Sequence, residues 1–327
     1  MKLLPADLDA VCRQLRASPR LALAVHEKPD LVALGAAAGL LDVSARLGAA
    51  ATLRVDPTEL LPFEELLLGP GAVVREAPRP GEVLVALDSG SLERLALDVG
   101  AWSGTVVNID HHHDNTRFGD VVLVRPAASS TSEIVCDVAR ALGLALGRRA
   151  ATALYAGISF DTGHFRHGST GPATFAAAAW LAGLGVDVAA VYRELYEQRT
   201  AGAVLLEGRA LAGARPAADG RALIAVLRRA DYEATGAAEH ETEGIVDRLR
   251  AVEGVEVAAL VKEQTADQGP RVRVSLRSNG FDVSALAAAR GGGGHRQAAG
   301  FSTDGDPEEV TAWLSSELAR RLPTASS

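Results

Sequence analysis

The chain has 327 residues, enough for one large domain or two ordinary ones. Hydrophobic residues make up 48% and charged residues 23%, a balance typical of globular proteins. The net charge of −8 argues against binding long nucleic acid over the whole surface, but not against a short anionic ligand. Two cysteines are too few for a disulfide framework, and no apolar run reaches membrane-spanning length. Residues 1–18 predict a short amphipathic helix rather than a signal peptide, so we expect a cytoplasmic protein without membrane contact.

The first half of the chain alternates apolar runs with helical segments. Buried strands are predicted at 21–26, 51–55, 82–88 and 105–110. A helix is predicted at 32–48, and continuous apolar strands separated by helices are typical of a parallel sheet covered on both faces. Ligands bind such sheets at the carboxyl ends of the strands. His26, Asp88 and Asp110 stand at that end of three strands, so we expect them to converge.

A helical stretch and a second, smaller unit follow. Helices are predicted at 130–143, 148–165 and 172–199, and the second unit has predicted strands at 222–228, 255–263 and 271–278 with a helix at 241–252. Residues 200–220 are the candidate linker. We therefore expect an α/β protein with a first domain at 1–199 and a second domain at 221–327.

Carboxylates and imidazoles recur at four strand-end or turn segments. They are His26 and Asp30 in HEKPD, Asp88 in ALDSG, Asp110 and His111 in DHH, and Asp161 in SFDTGHF. Hard divalent cations prefer carboxylate oxygens, and imidazole joins them when the ion is softer, as Mn²⁺ is. One such segment alone is often a solvated loop or a helix cap. Four of them at the ends of predicted core elements favour a metal site.

These motifs, in this order, resemble the DHH phosphoesterase superfamily, named after the Asp-His-His of residues 110–112. The segments HEKPDLVALG (26–35), LDSG and DTG (161–163) are similar to its other motifs, and GGGGHRQAAGF (291–301) is similar to the hallmark of the DHHA1 domain. The likeness covers nearly the whole chain. The segments STSEIV (130–135), ETEGIVDRLRAVEGVEVAALVKE (241–263) and VSLRSN (274–279) resemble bacterial nanoRNases of the bifunctional oligoribonuclease and 3′-phosphoadenosine 5′-phosphate (pAp) phosphatase type.

This resemblance implies a fold and an activity. The fold would be an N-terminal DHH domain with a mainly parallel sheet covered by helices, followed by a smaller α/β DHHA1 domain. The activity would be hydrolysis of very short RNAs, of linear dinucleotides such as pGpG and pApA, and of pAp, in a cleft between the domains. The cofactor would be two Mn²⁺ ions, with Mg²⁺ as the alternative. Long nucleic acid would not be a partner, and a homodimer stays open.

The resemblance also implies residue roles. One ion would be held by His26, Asp30 and Asp88, and the second by Asp88, His111 and Asp161, with Asp88 bridging. Asp110 would orient the histidine pair, and His112 would contact the scissile phosphate or assist the leaving group. His113 has no implied role, and we expect it to be an exposed neighbour.

The glycine run of the second domain predicts a nucleotide-binding turn. Glycines let backbone amides approach a phosphate closely, which makes Gly292, Gly293 and Gly294 candidate contacts. His295 and Arg277 would add charge-assisted hydrogen bonds. The alternative is a flexible surface loop, but the position of the run directly before His295 favours nucleotide binding.

One departure from the family pattern concerns position 32. Active relatives have a second aspartate there that binds the second metal, and this chain has Val32, which cannot ligate an ion. The second site is therefore expected to be weakened. This leaves open a slower or metal-selective nuclease, a one-metal enzyme with narrowed substrates, or a short-nucleotide binder without turnover. A hydrolase is favoured because the other motif residues are present.

Two other enzyme classes of the superfamily are disfavoured. An inorganic pyrophosphatase would carry a C-terminal domain different from the one that GGGGHRQAAGF indicates. A long-strand exonuclease of the RecJ kind would not be expected to have so short a chain or a negative net charge.

Overall fold

The computed structural model describes residues 5–60, 62–97, 99, 102–264 and 271–322. Its tertiary contacts separate into two compact units, the first ending at Gln198 and the second beginning at Arg199. Each unit is built on its own sheet, and the first sheet is parallel while the second is mixed. The predicted α/β class is therefore confirmed.

The first unit is a parallel sheet flanked by helices. Its strands are β1 (Arg20–Ala24), β2 (Ala50–Arg54), β3 (Val73–Val74), β4 (Val83–Leu87), β5 (Val106–Asp110) and β6 (Val121–Val124). They lie in the order β3-β2-β1-β4-β5-β6, and each pairing is parallel. The helices are α1 (Ala6–Ala17), α2 (Leu31–Arg46), α3 (Pro62–Leu68), α4 (Thr131–Ala141), α5 (Arg148–Asp161), α6 (Pro172–Gly183) and α7 (Val188–Tyr192).

Alternate residues of the central strands enter two different cores. Leu21 and Leu23 of β1 belong to the larger core, whereas Ala22 and Ala24 belong to a smaller core that also contains Leu95. Because successive side chains of a strand point to opposite faces, both faces of the sheet are covered. This double burial explains why the strands have continuous apolar sequences instead of alternating ones.

The strand order reverses beside β1, with β2 on one side and β4 on the other. Such a switch point leaves a crevice at the carboxyl ends of the two strands, where ligands bind in open α/β sheets. His26 lies two residues after β1, Asp88 directly follows β4, and Asp110 is the last residue of β5. The topology therefore brings the predicted strand-end residues to one edge of the sheet.

Glycines allow α2 and α5 to approach closely. A Cβ added at Gly35 of α2 would lie 2.5 Å from the Ala153 carbonyl oxygen of α5, and one added at Gly157 of α5 would lie 3.0 Å from the Leu31 carbonyl oxygen of α2. Both distances are shorter than ordinary van der Waals contact, so side chains at these positions would force the two helices apart. The approach matters for the site because α5 ends at Asp161 and α2 begins immediately after its N-cap, Asp30.

The second unit is a mixed sheet with helices on its two faces. Its elements are α8 (Ala201–Ala212), β7 (Arg215–Ala217), β8 (Ala222–Leu227), α9 (Arg229–Thr235), α10 (Ile245–Arg250), β9 (Val257–Glu263), β10 (Val272–Ser278), α11 (Ser284–Ala288), β11 (Gly293–His295), β12 (Ala298–Thr303) and α12 (Pro307–Arg321). The strand order is β11-β12-β10-β9-β8-β7. β8 and β9 are parallel, and the other pairings are antiparallel.

Residues 200–220, predicted as a linker, contain α8 and β7. Leu206 and Ala210 of α8 are fully buried, and they share a core with Leu227 of β8. These apolar positions recur at helical spacing, so burying them against the second sheet stabilises a helix in this range. The Gly- and Ala-rich composition of residues 200–220 predicted a linker. The structure has a helix there because its apolar residues pack into the core of the second unit.

The lengths of the helices can be compared with the length that a membrane-spanning helix needs. The predicted N-terminal helix corresponds to α1, and residues 1–4 lie outside the described part of the chain. Within the described residues, no single helix is long and apolar enough to span a bilayer. One bent pair, Pro172–Gly183 and Val188–Glu197, meets the length and composition criteria only when its two helices are joined.

Candidate metal centre

Asp88 occupies the middle of the carboxyl edge of the first sheet. Its backbone is left-handed, with φ of 56°, a conformation that aspartate tolerates better than most residues. Its amide donates a hydrogen bond to Ile109 O at 3.1 Å, and its Oδ1 accepts one from Thr131 Oγ1 at 2.6 Å. Only 3% of the side chain is exposed. Backbone and side chain are therefore both held by neighbouring segments.

The two carboxylate oxygens of Asp88 lie near different imidazoles. Its Oδ2 is 3.8 Å from His26 Nε2, and its Oδ1 is 3.7 Å from His111 Nε2. Each imidazole nitrogen also lies near a second carboxylate: His26 Nε2 is 3.9 Å from Asp30 Oδ1, and His111 Nε2 is 3.4 Å from Asp161 Oδ2. All five residues predicted as metal ligands are thus brought together around Asp88, and we call them the donor set.

Backbone carbonyls orient both imidazoles of the donor set. His26 Nδ1 lies 2.9 Å from Glu27 O, and His111 Nδ1 lies 3.4 Å from Ala128 O. A carbonyl oxygen only accepts hydrogen bonds, so each Nδ1 carries a proton, and Nε2 is the nitrogen through which a neutral ring would ligate an ion. Histidines that ligate metals are commonly held in this way.

Asp30 is also the N-cap of α2. Its Oδ1 accepts hydrogen bonds from the amides of Val32 at 2.8 Å and Ala33 at 3.1 Å. Burial raises the pKa of Asp30, but the nearby His26 imidazole and the hydrogen bonds from these two amides outweigh burial and lower it. The carboxylate therefore stays ionised. Val32 lies in the first turn of the same helix with 3% of its surface exposed, and its side chain has no atom that can ligate an ion.

Asp161 ends α5 with an unsatisfied carboxylate oxygen. Its Oδ2 is buried and has no hydrogen-bond partner among the described residues. Burial, together with the nearby charges of Asp88 and Asp30, raises the pKa of Asp161 to about 6, against the opposing effect of His111. Burial likewise raises the pKa of Asp88. The two carboxylates share a poorly solvated space with too little positive charge.

A divalent cation fits this arrangement. Buried carboxylates are costly unless they are paired or coordinate a metal, and the orphaned Asp161 oxygen identifies where positive charge is missing. Among the described residues, His26, Asp30 and Asp88 bring ligand atoms within 4.8 Å of one another, as do Asp88, His111 and His112. A set of carboxylates and imidazoles suits ions such as Mn²⁺.

His112 directs its Nδ1 to Asp110, which lies outside the donor set. His112 Nδ1 donates to Asp110 Oδ1 at 2.7 Å, and this hydrogen bond raises the pKa of His112 to about 9 although burial opposes the shift. Asp110 is fully buried, and its Oδ2 accepts a hydrogen bond from Asn115 Nδ2 at 2.5 Å. Burial raises the pKa of Asp110, but hydrogen bonds from His112 and Asn115 outweigh it and lower the pKa. The pair is an imidazolium and a carboxylate at neutral pH, and His113 beside it is exposed.

The segment before α4 supports the site in a way that the sequence did not reveal. Residues 129–133 are polar and buried. Thr131 binds Asp88, and Ala128 O accepts from His111, while Glu133 Oε2 accepts from Ser129 Oγ at 2.6 Å and from Thr174 Oγ1 at 2.8 Å. The Ser-Thr-Ser-Glu pattern predicted the helix start, which the Ser130 cap confirms. The pattern could not identify a partner 43 residues away.

Comparison with known proteins assigns the chain to a family. The model of the DHH family, N-terminal domain, matches residues 20–158, and that of the DHHA1 domain matches residues 219–320. The bifunctional oligoribonuclease and PAP phosphatase NrnA of Thermus thermophilus is 36% identical over 289 residues, which cover 86% of this chain and 84% of that protein. The chain belongs to the DHH/DHHA1 phosphoesterase family.

A further relative agrees with this DHH/DHHA1 assignment, and a solved structure shares the fold. A probable bifunctional oligoribonuclease and PAP phosphatase NrnA of Streptococcus mutans is 30% identical over 285 residues, covering 85% of this chain and 87% of that protein. The crystal structure of an exopolyphosphatase-related protein from Bacteroides fragilis superposes with a TM-score of 0.84 over 98% of each chain, at 22% identity. At that identity the second similarity shows the fold alone.

In the DHHA1 unit, the predicted substrate residues lie on neighbouring strands. Ala298 of β12 pairs with Arg277 of β10 on one side and with His295 of β11 on the other. Side chains at one register point to the same face, so Arg277 and His295 share a face at roughly 10 Å backbone separation. His295 is exposed, and Arg277 Nε lies 3.8 Å from Asp247 Oδ1.

The glycines of the DHHA1 motif have a packing role of their own. A Cβ at Gly292 would lie 2.2 Å from Gly300 O, and one at Gly294 would lie 2.6 Å from Ala298 O, whereas Gly293 has open space around it. The predicted turn is therefore partly a strand, with Gly293–His295 paired to β12. Close approach of two backbones explains two of the three glycines.

Proposed function

We propose that the chain is a metal-dependent hydrolase of short nucleotides. Its substrates would be short oligoribonucleotides, linear dinucleotides such as pGpG and pApA, and pAp. The observation that carries the proposal is the donor set, in which five side chains from four segments of the chain meet around the buried Asp88. The names of the two similar bifunctional oligoribonucleases support the choice of substrates.

The donor set would hold two Mn²⁺ ions, or Mg²⁺ in their place. His26, Asp30 and Asp88 would hold one ion, and Asp88, His111 and Asp161 would hold the other, since the two oxygens of Asp88 face the two imidazoles. The chemistry that bound metal supplies is polarisation of the phosphate and a lowered pKa for water.

His112 would act as the proton donor. Hydrolysis adds water to phosphorus and breaks the bond to the leaving oxygen, which must gain a proton. His112 retains its proton at neutral pH because of Asp110, and its Nδ1 is occupied by that carboxylate, so Nε2 is the atom that would donate. Asn115 would hold Asp110 in place through the other carboxylate oxygen.

The DHHA1 unit would bind the rest of the nucleotide. Arg277 and His295 share one face of the sheet, and both can make charge-assisted hydrogen bonds to a phosphate. Gly293 has open space around it, which leaves room for a ligand at its backbone. These contacts would set affinity, while the donor set and His112 would set the rate of the chemical step.

The test is hydrolysis of pGpG, pApA and pAp by the purified chain with Mn²⁺ or with Mg²⁺. We expect mononucleotides from the dinucleotides, and AMP with phosphate from pAp. His111→Ala should abolish turnover, and the matched control His113→Ala should not, because His113 is an exposed neighbour. Absence of turnover on all three substrates with both ions would contradict the proposal.

Val32 favours a second candidate function, a short-nucleotide binder without turnover. The valine places a buried apolar side chain in the first turn of α2, two residues after Asp30. A Val32→Asp variant separates the two candidates. If only the variant hydrolyses pApA while the natural chain binds it, the binder is correct and the hydrolase is wrong.

A further inference from the structure

Aromatic side chains are concentrated around the turn that follows Asp161, on the turn itself and on the helices next to it. The chain is aromatic-poor, with 7 Phe, 4 Tyr and 3 Trp residues, yet three of the four tyrosines meet here. We call the group the aromatic cluster, and its members are Tyr155, His164, Phe165, Phe175, Tyr192 and Tyr196. Its ring centroids are linked by separations of 4.6 to 5.8 Å. Such separations are those of interacting aromatic pairs.

Part of the aromatic cluster forms a column from the core to the surface. Tyr155 is 5% exposed and lies 5.8 Å from Phe165, which lies 5.7 Å from Phe175 with the two rings only 20° from parallel. Phe175 is 56% exposed. Phe175 is the exposed member of this stacked pair, so its free ring face is available to a flat ligand.

The second part of the aromatic cluster surrounds His164. The His164 ring lies 4.6 Å from Tyr192 and 5.7 Å from Tyr196, whose hydroxyl donates to Ser159 O at 2.9 Å. Tyr196 belongs to a π-helical turn at Arg193–Glu197, an uncommon conformation that is frequent at functional sites. All three rings are half-buried, so each leaves part of its surface accessible.

The backbone of this turn is strained. His164 and Phe165 are consecutive non-glycine residues with φ of 61° and 63°, and a left-handed Phe is a marked outlier. Hydrogen bonds hold the strain in place, because His164 N donates to Ser159 O at 2.6 Å and Phe165 N to Thr162 Oγ1 at 2.9 Å. Strain of this kind persists where the surrounding structure enforces it, and it clusters at binding and catalytic sites.

Two members of the aromatic cluster, His164 and Phe165, lie three and four residues after Asp161, a member of the donor set. Asp161 Oδ2 lies 3.4 Å from His111 Nε2, and His164 Nδ1 lies 3.3 Å from Ser159 Oγ, two residues before Asp161 on α5. The cluster therefore adjoins the end of α5 that supplies Asp161 to the donor set. Stacking on aromatic rings accepts any base, since every base has a π-face.

We propose that the aromatic cluster is a nucleobase-binding subsite, on which a base flanking the scissile phosphate stacks. The inference rests on the proposed function and adds the place at which a base of the substrate is held. It also predicts that bases are accepted without strong preference, because every base has a π-face that can stack on a ring.

The test compares pApA with dinucleotides that lack either base. The variants Phe175→Leu and Tyr192→Leu keep apolar volume and remove a ring, and Phe175→Tyr and Tyr192→Phe are the ring-retaining controls. Base stacking is worth about 1–3 kcal/mol, so we expect each Leu variant to raise KM for pApA about tenfold with kcat within about twofold. Removal of the base that stacks should abolish this difference, and the controls should resemble the natural chain. Equal effects on all dinucleotides, or no effect, would overturn the subsite.

Binding measurements separate this inference from the proposed function. Calorimetric titration with a non-hydrolysable phosphonate analogue of pApA should show about tenfold weaker binding to the Leu variants. If the natural chain hydrolyses nothing and this loss is still seen, the subsite stands and the hydrolase fails. Light scattering provides a further control by measuring the particle mass of Phe175→Leu. A changed mass with an unchanged affinity for the analogue would indicate that the cluster is a contact between copies of the chain, and would overturn the subsite.

Discussion

The two units present their polar residues in opposite ways. In the first unit, Asp88, Asp110 and Thr131 are buried and fixed by hydrogen bonds. In the second unit, His295 is exposed on a short strand whose position depends on glycines that admit close backbone contact. Buried charges held by neighbours are suited to stabilising charge during a reaction. Exposed side chains on a fixed backbone are suited to binding, so substitutions of the buried polar residues should change kcat and substitutions in the DHHA1 hairpin should change KM.

The largest effect is expected from Asp88→Asn. The Lewis-acid contribution of bound metal is worth several kcal/mol, so its loss should lower kcat about 10³-fold or more. Burial raises the pKa of Asp88, so its ionised form weakens the metal-free fold as pH rises above the ordinary carboxyl range. Asparagine removes that cost, and the metal-free variant should melt at a higher temperature at pH 7, measured by calorimetry in EDTA.

A control for this substitution comes from an exposed acid that follows the neighbouring strand. Asp114 lies four residues after β5 and is exposed, so Asp114→Asn removes one negative charge but should leave both kcat and the melting temperature as they are. A melting temperature of metal-free Asp88→Asn below that of the natural chain would contradict the cost assigned to the buried carboxylate, and activity above about a tenth would contradict its role in holding metal.

The next effect concerns His112 and its proton. The hydrogen bond with Asp110 raises the pKa of His112 to about 9, so in the metal-free protein its NMR titration should show a cation that is lost as pH rises through about 9. Asp110→Asn should move that midpoint down towards the ordinary value of about 6.5. Replacing the proton donor, as in His112→Gln, should lower kcat about 10²-fold. A midpoint that does not move in Asp110→Asn would contradict the assigned hydrogen bond.

Much of the first unit could be predicted from sequence because its strands are buried on both faces. Continuous apolar runs ending on Asp88 or Asp110 predict both the strands and the edge at which their last residues meet. The short strands β3 and β6 and helix α3 were not predicted, because short elements carry little periodicity. Partners such as Thr131 and Asn115 could not be identified, since a hydroxyl or amide carries no signal for the distant carboxylate it will bind.

The second unit was harder to predict because its boundary and its glycines carry ambiguous signals. An Ala- and Gly-rich stretch suits a linker as well as a helix, and only the core around Leu206 decides in favour of α8. A glycine run suits a phosphate-binding turn as well as a tight hairpin, and the distances at Gly292 and Gly294 show the hairpin contacts. In both cases the deciding contact lies far away in the sequence.

A smaller effect is expected from Thr131→Val, which tests whether hydrogen bonds fix the donor set. The valine keeps the shape of threonine but removes the 2.6 Å hydrogen bond to Asp88 Oδ1. Outer hydrogen bonds of this kind are worth 10- to 100-fold in metal affinity or activity, so calorimetric Mn²⁺ affinity should fall by about that factor. Thr131→Ser keeps the hydroxyl and should retain most of the affinity. Equal losses in both variants would assign the effect to packing.

The smallest effect is expected in the DHHA1 hairpin. There, glycine can be required either for close contact between two backbones or for space beside a ligand. Gly294 has φ of 134°, and an added Cβ would lie 2.6 Å from Ala298 O, so Gly294→Ala should distort the strand that carries His295. We expect KM for pApA to rise about tenfold, the equivalent of one lost charge-assisted hydrogen bond, with kcat unchanged.

Gly293→Ala is the matched substitution next to it. Gly293 has no heavy atom near an added Cβ and no left-handed backbone, so the melting temperature should not change. We expect KM for pApA to rise nevertheless, because a methyl group that meets no protein atom would meet the ligand proposed to lie against this backbone. An unchanged KM for Gly293→Ala would contradict the ligand position proposed beside Gly293.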